Sequence, residues 1–185
     1  GWDLLTAETH AQKVEIACTV HPRQAEPGTR WVYHTTDTYL LGVAMQAYLR
    51  QHSGRADADF YDDLLVPIWR ALDLSPLADY TRRTRDAEAQ AFTGWGLTLP
   101  ADDFARIALF LQAGGVIDGE ALLDESLLAA ALQQNPDDRG LPAIDDSMRY
   151  RAGFWAYNAG QFLGCDHDVW IPTMSGYGGV SVTLM

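Results

Sequence analysis

The stretch PGTRWVYHTTDTYLLG, residues 27–42, runs straight into a helical pattern that sets the character of the first half of the chain. Over 37–51 the apolar residues Leu40, Leu41, Ala44, Met45 and Tyr48 recur at i, i+1, i+4, i+5 and i+8, the stripe of an amphipathic helix, and Ser53-Gly54 stop it. A second helix is expected over 57–70, kinked or ended near Pro67, whose ring removes a backbone hydrogen bond. Residues 73–90 are polar and irregular, and the basic cluster Arg82, Arg83 and Arg85 reads as a solvated face. A third helix starts at Pro100, with Asp102 and Asp103 near the positive end of its dipole and Phe104, Ile107, Ala108 and Leu111 as its buried stripe. Gly114-Gly115 stop it. Residues 116–120 read as a tight turn and 124–134 as a fourth helix, followed by the breaker Asn135-Pro136.

Beyond the loop 137–147 the pattern changes to strand. Residues 149–157 are rich in aromatics, and Val180, Val182 and Leu184 alternate with Ser181 and Thr183, the period of a half-buried strand. The expected class is therefore α+β: a mainly helical lobe over 1–147 and strands of an incomplete antiparallel sheet over 148–185, forming one partial domain. A sheet with so few strands needs neighbours to bury its faces.

Composition narrows the partners. The chain has 185 residues, 48% hydrophobic and 21% charged, enough for one sizeable core. Its formal charge of -12 repels phosphate backbones and anionic headgroups, so nucleic acid and membrane surfaces are poor partners. Apolar runs such as 104–113 fall short of the roughly 20 residues that span a bilayer. Cys18 and Cys165 make no disulfide framework. The segment Gly1-Trp2-Asp3 does not read as a signal peptide, and the compartment stays open.

Three blocks carry chemistry. In the first, Pro27-Gly28 precedes Tyr33-His34-Thr35, and Leu40-Leu41-Gly42 follows, with Gly42 nine residues after Tyr33. The second is Gly94-Trp95-Gly96-Leu97, then Asp102-Asp103-Phe104-Ala105-Arg106 and Gly114-Gly115. The third is Ser175-Gly176-Tyr177-Gly178-Gly179. In order and spacing these resemble the Pro-Gly, Tyr-x-Asn and Leu-Leu-Gly block, the Gly-Gly-Leu and Asp-x-Ala-Arg segment, and the last active-site strand of class C β-lactamases and related serine hydrolases, a family that includes esterases and 6-aminohexanoate-dimer hydrolases. The resemblance covers most of the chain from Pro27 onward.

It implies acyl transfer to water, with a serine deprotonated by a lysine and tyrosine network and an oxyanion hole for the tetrahedral intermediate. Tyr33 matches the acid/base tyrosine, and the Tyr177 amide matches an oxyanion donor. His34, Thr35, Met174, Ser175, Gly176 and Gly178 fall at substrate-binding positions. No metal or organic cofactor is implied. Two positions depart from the pattern. Thr35 stands where the family has asparagine and lacks the amide's paired donor and acceptor. Met174 stands where the family has a lysine or histidine, and a thioether neither carries charge nor donates a strong hydrogen bond. Carboxylate recognition of the β-lactam kind suffers, so the expected substrate is a small ester or amide.

The nucleophile is missing. None of Ser53, Ser75, Ser126, Ser147, Ser175 and Ser181 has a lysine three residues later, and the single lysine, Lys13, has His10 at that offset. The Ser-x-x-Lys helix is expected upstream of Gly1, which makes the 185 residues an internal fragment, inactive alone. Other readings are thinner. Cys165-Asp166-His167-Asp168 gathers three ligand types, but adjacent side chains rarely converge on one ion. No Gly-x-Ser-x-Gly elbow hosts a triad, and Gly114-Gly115 lacks the Lys-Ser/Thr of a phosphate loop. The remaining alternative is an inactive relative that binds a ligand or partner, to which aromatics such as Trp95, Trp155, Tyr157 and Trp170 would be suited.

Overall fold

The computed structural model describes residues 2–20, 22–160, 162–176 and 180–185. It belongs to the α+β class and divides into two compact units, the first made of 1–24 and 33–100, the second of 25–32 and 101–185.

The first unit is helical. Helices α1 (Trp2–Thr6) and α2 (His10–Thr19) precede α3 (Thr35–Ser53). At the start of α2 the Thr9 hydroxyl accepts from the Gln12 amide while the Gln12 side chain accepts from the Thr9 amide, a reciprocal cap that satisfies two orphan donors. Helix α3 ends as expected at Gly54, which takes a left-handed φ of 67°. It begins at Thr35, two residues before the expected start.

The face that α3 buries is not the one its hydropathy suggests. Leu41, Met45 and Tyr48 are 59%, 41% and 65% exposed, whereas Thr36, Tyr39, Gly42 and Gln46 are buried. Hydrogen bonding and close approach decide the matter. Gln46 accepts from the Phe60 amide at 3.0 Å and donates to the Ala58 carbonyl, so its burial leaves its amide satisfied. Tyr39 joins Leu4 and Phe92 in one core cluster, with Leu5, Val14, Ile16 and Val43 against it.

The expected 57–70 helix is a π-helical turn, Tyr61–Leu65, continuing as α4 (Val66–Ala71), with Pro67 in the first turn of α4. A π-turn offsets the bonding ladder where a proline cannot donate. Asp59 starts it by accepting from the Tyr61 and Asp62 amides at 2.9 and 3.0 Å. Of the arginine cluster, Arg82 and Arg85 are exposed, as a solvated face expects, whereas Arg83 serves as a fastening. Arg83, half-buried, grips both oxygens of Asp59 at 2.7 and 3.0 Å and reaches Asp62 at 2.8 Å. Arg85 pairs with Glu8, and Arg82 donates to the Leu5 carbonyl.

The second unit opens with α5 (Ala101–Gln112), which buries Ile107, Ala108, Phe110 and Leu111. The tight turn is a hairpin, β1 (Val116–Ile117) with β2 (Glu120–Ala121), closed by Asp118 and Gly119 at φ 50° and 84°. Helix α6 (Glu125–Ala131) is capped by Asp124, whose carboxylate accepts from the Leu127 amide at 2.9 Å. Among the described residues, β3 (Leu141–Pro142), β4 (Met148–Arg151), β5 (Phe154–Asn158), β6 (Trp170–Ser175) and β7 (Ser181–Thr183) make a five-stranded antiparallel sheet in that order. What reads as one aromatic strand over 149–157 is the β4–β5 hairpin, folded at Ala152-Gly153, both with positive φ.

Candidate functional site

Tyr33 leaves the chain immediately before α3, and its ring is 56% exposed. His34 occupies the N-cap position and makes no side-chain capping bond. Thr35 is the first helical residue, and Asp37 adds a favourable negative charge to the first turn.

The second block lies directly on this turn. Thr93 donates its hydroxyl to the Thr38 carbonyl at 2.6 Å. A Cβ on Gly94 would stand 2.6 Å from Thr35 Cγ2 and 3.0 Å from the Thr35 carbonyl, and a Cβ on Gly42 would overlap the Thr93 side chain, 2.6 Å from its Cγ2. Each glycine therefore leaves the space that the other segment fills. Phe92, one residue earlier, packs its ring 5.5 Å from that of Tyr39. The two blocks, some fifty residues apart in sequence, form one packing unit, which spacing alone does not reveal.

Lys13, the single lysine, is a core residue of the first unit. It is 3% exposed, donates to the Leu4 carbonyl and holds its ammonium 4.6 Å over the Phe92 ring. Burial first, and the Arg82 charge second, push its pKa below the usual lysine value. Tyr39, buried beside it, accepts or donates one hydrogen bond with His10 Nδ1 at 2.8 Å, and burial, then Asp86, raise its phenol well above the ordinary range.

In the second unit, register fixes which side chains share a face. Ser175 pairs with Ser181, Thr173 with Thr183 and Tyr157 with Ile171. These six line a shallow concavity of about 360 Å³ with no charged residue in its wall. Trp155 continues that face beside Thr173 and meets Tyr150 and Trp31 edge to face, at ring separations of 5.0 and 5.4 Å. Met174 pairs with Val182 and so lies on the opposite face from Ser175. Gly176 closes the end of the hairpin by donating to the Val180 carbonyl at 2.7 Å. Tyr177, Gly178 and Gly179 lie outside the described residues. Tyr33, His34 and Thr35 belong to the first unit, and Met174, Ser175 and Gly176 to the second.

The Cys165–Asp168 cluster is loop architecture. His167 bonds Asp166 at 2.9 Å, and Asp168 accepts from Asn158, which also receives the Gly160 and Val169 amides. Among the described residues no group of three metal-ligating side chains assembles, and no helix is long and apolar enough to cross a membrane. The hydroxyl face of the sheet belongs to no sequence motif, and its trace in the sequence is the serine and threonine spacing along 173–183. No known protein family matches the chain by its sequence profile, and no curated protein matches it.

Proposed function

We propose that this chain carries the acid/base tyrosine and the substrate strand of a β-lactamase-related serine hydrolase, acting on an uncharged ester or amide, with the nucleophilic serine and its lysine supplied from outside these 185 residues. The observation that carries the reading is the mutual fit of Gly42 with Thr93 and of Gly94 with Thr35. Two of the three family-like blocks thereby explain each other's glycines, and both bear on the turn that presents Tyr33. An exposed phenol at a helix N-terminus suits proton transfer, because the helix dipole favours negative charge developing there.

The uncharged wall around Ser175 supports an ester or amide over a carboxylate-bearing β-lactam. Recognition of a carboxylate calls for a guanidinium or ammonium group, and that wall contains neither. Met174, where the family has lysine or histidine, also suits a second reading, an inactive relative that binds a ligand or partner. Tyr33→Phe in the complete natural protein separates the two. The hydrolase reading predicts a kcat for p-nitrophenyl ester hydrolysis lower by about 10²- to 10⁴-fold, and an unchanged rate removes Tyr33 from the mechanism.

A further inference from the structure

We propose that Thr93 and Gly94 are positioning residues for Tyr33, gripping the first turn of α3 so that the phenol leaves the helix in a single direction; this rests on the hydrolase reading of Tyr33.

The first turn of α3 lacks the side-chain cap that α2 and α6 have. Helices α2 and α6 begin with a side chain, Thr9 or Asp124, that accepts a backbone amide, and the α3 N-cap His34 makes no such bond. A first turn without a cap frays readily. Here segment 92–94 performs the clamping from outside. Its three residues touch successive parts of the helix: Gly94 sits on Thr35, Thr93 holds the Thr38 carbonyl and fills the notch at Gly42, and Phe92 lies against Tyr39.

The segment is itself anchored on its far side. The Phe92 amide donates to the Arg82 carbonyl at 2.8 Å, Thr84 and Gln90 exchange bonds of 3.0 and 2.9 Å, and a Cβ on Gly96 would stand 3.0 Å from the Arg82 amide nitrogen. Arg82 in turn reaches the Leu5 carbonyl. Tyr33 lies two residues before the gripped turn, so a side chain added at position 94 displaces the backbone that carries the phenol. A misplacement of about 1 Å at a reacting group costs on the order of 10²-fold in rate.

The test uses the complete natural protein and p-nitrophenyl ester hydrolysis, with Tyr33→Phe as the reference. Gly94→Ala is expected to lower kcat about 10- to 100-fold, to leave KM nearly unchanged, and to move the limb of the pH-rate profile that Tyr33→Phe abolishes. A purely structural role would lower the folded fraction and leave that limb in place. If Gly94→Ala does not fold, Thr93→Val, which keeps the shape and deletes the donor to Thr38, is compared with Thr93→Ser, which keeps the donor; Val slows the reaction and Ser preserves it. A full rate and an unmoved limb in Gly94→Ala, or equal rates in the two Thr93 variants, overturn the positioning role while Tyr33→Phe remains slow. A fast Tyr33→Phe overturns both this inference and the hydrolase reading beneath it.

Discussion

Gly42→Ala reverses an ordinary expectation. Alanine in place of an interior helical glycine stabilises a helix by about 1 kcal/mol. At position 42 the new Cβ would lie 2.6 Å from Thr93 Cγ2 and 3.1 Å from Thr93 Cβ, distances that no side-chain rotation of a β-branched residue fully relieves. Overpacking of this kind costs about 1–3 kcal/mol, and turning Thr93 away breaks its bond to the Thr38 carbonyl, another 0.5–1.5 kcal/mol or so. The net expectation is a loss of about 2 kcal/mol.

Thr93→Ala alone should cost about 1 kcal/mol, the hydrogen bond. In that background only the 3.1 Å approach to the Cβ of residue 93 remains, and Gly42→Ala should become nearly neutral. The two substitutions are therefore coupled by about 2 kcal/mol. Urea unfolding followed by far-ultraviolet circular dichroism, with comparable slopes among the four proteins, measures the cycle. Additivity within about 0.5 kcal/mol, or a stabilised Gly42→Ala single variant, refutes the packing argument.

Two other expectations concern the core and a turn. Because burial holds the Lys13 ammonium below its ordinary 10.5, the unfolded chain takes up that proton more readily, and stability rises as pH climbs toward that value. The raised Tyr39 phenol acts in the other direction, so stability falls again once pH passes 10.0; in urea midpoints against pH, Lys13→Met should flatten the rise and keep the fall, and an unaltered rise means that Lys13 is not buried as charged. Ala152 holds φ at 48° in the two-residue turn of the β4–β5 hairpin, where glycine carries no Cβ penalty. Ala152→Gly should raise stability by about 1 kcal/mol, seen as a higher thermal midpoint, and a lower midpoint contradicts the left-handed turn.

Helix positions were legible wherever a local signal marked them: Ser53-Gly54 ended α3, Asp124 began α6, and Asp118-Gly119 closed a hairpin. The reciprocal cap of Thr9 and Gln12 that begins α2 went unread in the sequence. The buried face of α3 was not legible, because hydropathy ranks Leu41 and Met45 above Gln46, while the fold satisfies Gln46 with two backbone bonds and needs Gly42 for close approach. Arg83 misled for a related reason. Its carboxylate partner lies 24 residues away at Asp59, a pairing that only the tertiary fold creates. At the candidate site, resemblance to the family's motifs picked out Tyr33, Gly42 and Gly94, but the contact between their segments depends on how 90–96 folds back along α3. The alternation of serine and threonine across β6 and β7 became a face only once the register was fixed.

The most direct measurement is covalent labelling of the complete natural protein with a fluorophosphonate, followed by mapping of the modified residue. The account predicts one labelled serine, outside residues 1–185 and followed three positions later by lysine, with labelling slowed by Tyr33→Phe. No labelled serine, or a labelled serine without that lysine, contradicts it.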